Sequence, residues 1–99
     1  MDAAQALLEQ PTRLRVMGLL YRHRDLAARD VREHLGLTDG NLASHASRLA
    51  EAGLLEARNA LSPRGFEVRY RITAEGSAAM RATLDRLRSL IAEWDAADA

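Results

Sequence analysis

The spacing of apolar residues changes twice along this chain, and no single regular structure accommodates both spacings. Up to Gly53 they recur every three or four positions. From Leu55 to Ile72 they alternate with polar residues, and after Thr73 the wider spacing returns. A spacing of three or four lines one face of a helix, whereas alternation places neighbours on opposite faces of a strand. The chain therefore reads as helices interrupted once by a pair of strands, an α+β fold that is predominantly helical.

The helical parts can be placed by their caps. AAQALL, residues 3–8, reads as a short apolar helix that stops near Pro11, a residue welcome in the first turn of the next helix. From Thr12 to about His23, Leu14, Val16, Met17, Leu19 and Leu20 crowd two adjoining sides, with Arg13, Arg15, Arg22 and Arg24 as a rim. Leu26 falls in a short extended link. A further helix runs from about Ala28 to Leu35, burying Val31 and Leu35, and Gly36 ends it as a left-handed cap. Thr38 is a natural N-cap for the next helix, which should reach about Ala52, with Leu42, Ala46 and Leu49 on one buried face.

The opposite face of that helix is unusual. It presents Asn41, Ser44, Ser47 and Arg48, short polar side chains with one arginine. Two short helices joined by GLT, the second with such a face, form a helix-turn-helix. A helix fits the major groove of B-form DNA, where base edges offer distinguishable donors and acceptors. Asn41 can bridge an adenine bidentately, and Ser44 and Ser47 can reach bases or phosphates. Gly40 and Ala43 let the backbone approach closely, and Arg48 is suited to clamp a phosphate. Asp39, at the helix start, either favours the helix dipole or accepts from a cytosine amine, the dipole role being preferred.

The alternating segment adds a hairpin. Leu55 and Ala57 on one side, and Phe66, Val68, Tyr70 and Ile72 on the other, flank the polar break NALSPRG. Arg58 and Arg64 are placed near its tip, where an arginine can enter an adjacent minor groove. Thr73 then caps a last helix reaching about Trp94, with the tail DAADA fraying beyond it.

Three segments in this order resemble the winged helix-turn-helix transcription regulators of the broad MarR and ArsR grouping, especially a small stand-alone winged-helix family related to them. They are PTRLRVMGLL, LGLTDGNLASHASRLAEAGLLE and VRYRITAEG, and together the resemblance covers residues 11–80. It implies that Thr38, Asp39, Gly40, Asn41, Ala43, Ser44 and Ser47 line the DNA-facing part of the recognition helix. One departure is Ala46, where relatives usually carry a larger aliphatic, so the core there should be looser or differently filled.

The last helix carries Met80, Leu84, Leu87, Ile91 and Trp94 at spacings of four, three, four and three, an a/d seam over two heptads. With Leu7 of the N-terminal helix it reads as a homodimer interface rather than packing within one chain. The expectation is thus a single domain over residues 1–99. Its winged core spans 11–73, and helices in 1–10 and 74–95 serve dimerisation.

Formal net charge is zero, but its distribution is uneven. Residues 11–35 hold six arginines against three acids and residues 36–72 five against four, while both ends are acidic. Every basic residue is arginine, whose planar fork suits phosphate, although codon bias also produces such a set. Without cysteine, disulfides and thiolate metal sites are excluded. His23, His34 and His45 fall on different helices, so structural or phosphate-contacting roles are favoured over a metal site. No pairing of nucleophile and base appears, no membrane span or leader is recognisable, and no cofactor is implied. The reading is a cytoplasmic, sequence-specific regulator of double-stranded DNA, most simply a repressor, with any small-molecule effector left open. The rival is a winged helix used as a protein-interaction module.

Overall fold

The computed structural model describes residues 2–97. Helix α1 spans Ala3–Leu8 and α2 spans Pro11–His23; strand β1 is Asp25–Ala27; α3 is Ala28–Leu35 and α4 is Asp39–Glu51. Strands β2 (Leu55–Ser62) and β3 (Gly65–Ile72) form the hairpin, and α5 runs over Ala74–Ala97. The last helix thus continues past Trp94 to Ala97, into the segment expected to fray, of which residues 98–99 lie outside the described residues.

Local chemistry sets these boundaries. The Asp2 carboxylate accepts from the Gln5 amide at 2.7 Å, and the Gln10 side chain accepts from that of Arg13 at 2.8 Å, with Pro11 opening α2. Gly36 closes α3 at φ +68°, a left-handed conformation that side chains resist. Thr73 caps α5: its hydroxyl accepts from the Gly76 amide at 2.9 Å and donates to the Gly53 carbonyl at 2.6 Å. That second bond ties the loop after α4 to the start of α5.

The extended link at Leu26 is a true strand. β1 pairs antiparallel with β3, which pairs antiparallel with β2, giving the order β1-β3-β2. The polar break after Asn59 is also mostly strand. Pairing continues to Ser62 opposite Gly65, so only Pro63 and Arg64 form the turn. Arg24 lies on the exposed rim, as expected, and also holds the junction of α2 with the sheet at φ +73°. Its carbonyl accepts from the Ile72 amide at 2.9 Å and its guanidinium donates to the Ser77 hydroxyl at 3.1 Å.

One core joins all the elements. Val16, Met17 and Leu20 of α2 meet Val31, Leu42, Leu49, Leu55, Tyr70 and Ile72, with Leu8 and Met80 closing it from the two ends of the chain. Burying each large side chain contributes roughly 1.5–3 kcal/mol. Leu7 and Met80 were both expected between chains. Met80 is only 3% exposed and Leu7 packs against the same core, because α1 and the first half of α5 lie against each other and on α2. The second half of α5 runs free of that body, and the molecule is elongated, 54 Å along its main axis.

Candidate nucleic-acid interface

Helix α4 is built as an inside and an outside. Leu42, Ala46 and Leu49 are buried, while Thr38, Asp39, Gly40, Asn41, Ala43, Ser44, Ser47 and Arg48 are exposed. The Thr38 hydroxyl accepts from the Asn41 amide at 3.1 Å, so the first turn is capped from within the chain. Asp39 accepts from Arg32 Nε at 2.9 Å, which ties the start of α4 to α3. Arg48 is exposed and takes part in no ion pair among the described residues.

The two flanks of α4 differ. Ala43, Ser47 and Ala50 turn towards the hairpin and, with Ala46, Ala57, Val68 and Tyr70, line an apolar groove of about 250 Å³. The small side chain at 46 has a visible effect here, since a larger aliphatic would reach into this space. On the other flank His45 faces Arg13 of α2, with 3.4 Å between Arg13 NH1 and His45 Nδ1. Burial holds the His45 pKa below its ordinary value, and the positive charges of Arg13 and Arg48 push in the same direction.

The hairpin stands beside α4 as a wing. Arg64 lies in its turn, as the sequence suggested, and donates to Glu67 at 3.2 Å. Arg58 does not lie at the tip. Its register partner is Arg69, mid-strand, because the strands extend further than the polar break suggested. Arg58 is held by Asp25 at 2.8 Å, and the same carboxylate accepts from Arg69 at 2.9 Å and Arg71 at 3.3 Å. Burial alone would raise the Asp25 pKa, but hydrogen bonds from Arg58, Arg69 and Arg71 and the nearby charge of Arg58 outweigh it and lower it. This hub was not legible in the sequence, because Asp25 is 33 residues or more from each arginine that it joins. The inner wing face is apolar and open near the tip, with Leu61 and Phe66 exposed opposite one another.

On α5, Leu84 is half-buried while Leu87, Ile91 and Trp94 are 37%, 52% and 61% exposed on one stripe. Among the described residues no group of three His, Asp or Glu side chains could hold a metal ion, and no helix is long and apolar enough to cross a membrane.

The overall fold is shared with known proteins. The chain is similar to a transcriptional regulator homologue from Pyrococcus horikoshii OT3, at 29% identity and a TM-score of 0.85, covering 91% of this chain and 89% of that one. It is also similar to the PcaV transcriptional regulator from Streptomyces coelicolor, at 27% identity and a TM-score of 0.70, covering 88% and 68%. A third structure, of a possible transcriptional regulator for arsenical resistance, is 26% identical with a TM-score of 0.68, covering 94% and 97%. Among curated proteins none matches. The family profile described as the winged helix DNA-binding domain matches residues 12–91. The chain belongs to the winged helix DNA-binding domain family, with the MarR- and ArsR-type regulators as its structural neighbours.

Proposed function

We propose that this protein is a sequence-specific repressor that binds double-stranded DNA as a homodimer, each copy laying α4 in a major groove. The observation that carries this reading is the outer face of α4. Asn41, Ser44, Ser47 and Arg48 are exposed together, on a helix whose opposite face is locked into the core. Asn41 and Ser44 read base edges, Thr38, Gly40, Ala43 and Ser47 allow close approach, and Arg48 and Arg64 hold phosphates. Arg58, tied to Asp25, supports the wing and adds positive field rather than a tip contact. Leu87, Ile91 and Trp94 form the seam between copies, so that two recognition helices address neighbouring turns of one duplex face. Repression follows most simply from occluding a promoter.

Selection of bound fragments from a genomic DNA pool, followed by footprinting, tests the proposal. The expected result is an enriched, two-fold symmetric site whose half-sites lie about 10 base pairs apart or a multiple of that. Recovery of unenriched DNA, or binding that does not weaken with salt, contradicts it.

A further inference from the structure

Arg13, His45 and Arg48 meet on the flank of α4 that faces away from the wing. Arg13 is held in place by α1, since its Nε donates to the Leu7 carbonyl at 2.8 Å, and it directs NH1 at His45. A guanidinium has only donors. The contact therefore requires Nδ1 of His45 to accept, which makes the ring neutral with its proton on Nε2. Arg48 follows His45 by three residues on the same helix. The charges acting on the ring are these two, one from α2 and one from α4, and no carboxylate pairs with it among the described residues.

A neutral imidazole between two cations resists taking up a proton, and an arriving anion reverses that balance. From this geometry we infer that Arg13, His45 and Arg48 form a proton-linked clamp for one phosphodiester of the duplex, an inference that rests on the DNA-binding reading above. Asn41, His45 and Arg48 recur at i, i+4 and i+7 and so share one flank of α4, whereas Ala43 and Ser47 take the wing flank. A major groove is bordered by two phosphate backbones. The wing stands beside one, and the clamp meets the other.

Binding exchanges partners. A phosphate oxygen entering between Arg13 and His45 takes the guanidinium's donor, which releases Nδ1. Nδ1 then binds one proton from solvent, and ring and guanidinium both donate to the anion. Up to one proton leaves the buffer for each clamp filled, the fraction depending on pH, and no bond in the DNA is made or broken. Because the anion raises the affinity of the ring for its proton, DNA binding must strengthen as pH falls through the histidine range.

The test is fluorescence anisotropy with a labelled random-sequence duplex at fixed ionic strength, from about pH 8 to about pH 5.5. A chain carrying His23→Gln and His34→Gln, both at exposed positions, serves as background. Affinity should climb with falling pH by up to about tenfold per pH unit per clamp, and His45→Gln should bind with a flat profile. Calorimetry of the unmodified protein in two buffers of different protonation enthalpy reads the same proton uptake without relying on any variant. DNA binding with no proton uptake, or a His45→Gln profile as steep as its background, overturns the clamp and leaves the DNA reading standing. Absence of DNA binding at every pH overturns both.

Discussion

Gly76 shows how far a single residue fixes this fold. A Cβ built on it would overlap the Leu54 carbonyl oxygen and lie 2.9 Å from Ile72 Cγ1, so α5 can cross the end of the α4 loop only through glycine. Thr73 completes the same joint with its two hydroxyl bonds. The ITAEG ending of the third resemblance segment thus has a structural cause. Gly76→Ala gains helix propensity of about 1 kcal/mol at most, but the clash is with backbone and costs about 1–3 kcal/mol or more. Thermal denaturation followed by circular dichroism should show a net loss, at roughly 4–8 °C of Tm per kcal/mol for a domain of this size. An unchanged Tm would mean that α5 can shift away from Leu54 without penalty.

Among the elements, the wing is the least independent. Its outer face is assembled on Asp25, which belongs to β1 and not to the hairpin, and which holds Arg58, Arg69 and Arg71. The pKa of Asp25 is lowered in the folded chain, so its ion pairs add stability above the ordinary carboxylate value of 3.8 and lose it as pH falls below that range. Asp25→Asn should remove this acid-sensitive component while costing only about 1 kcal/mol or less at neutral pH, because the pairs are partly exposed. It should also release three arginines, raising affinity for random duplex a few-fold and steepening its salt dependence. Salt titrations of the variant and the parent would decide, and equal slopes would place the outer wing face away from phosphate. The limits of sequence reading are clearest in this element. Helices α2 to α4 could be bounded almost to the residue, because Pro11, Gly36, Thr38 and Gly53 act locally. β1 could not, since three residues carry no period. The length of β2 and β3 was hidden because Asn59 to Ser62 looks like a loop until its partners in β3 are known. The exposed polar face of α4 was legible from spacing alone, whereas the Asp25 hub and the Arg13–His45 contact join residues far apart in sequence.

At the scale of the whole molecule, one long helix divides its roles along its length. Met80 seals the core of its own chain, and beyond Leu84 the same stripe emerges as Leu87, Ile91 and Trp94. A second copy covering that stripe would bury three large side chains from each partner, roughly 1.5–3 kcal/mol apiece. Ile91→Asp combined with Trp94→Ala should therefore convert dimer to monomer in sedimentation velocity. It should also weaken specific DNA binding at least tenfold through the lost second half-site; a variant that remains dimeric would move the interface elsewhere. The central claim is that the outer face of α4 chooses the sequence, and Asn41→Ala/Ser44→Ala examines it most directly. Its affinity should be measured against the selected site and against random duplex at the same salt concentration. Each side chain lost from a base contact is worth about 1–3 kcal/mol, so affinity for the selected site should fall at least tenfold while that for random duplex barely moves. A double variant that keeps the full preference of the unmodified protein would show that sequence is read by some other surface.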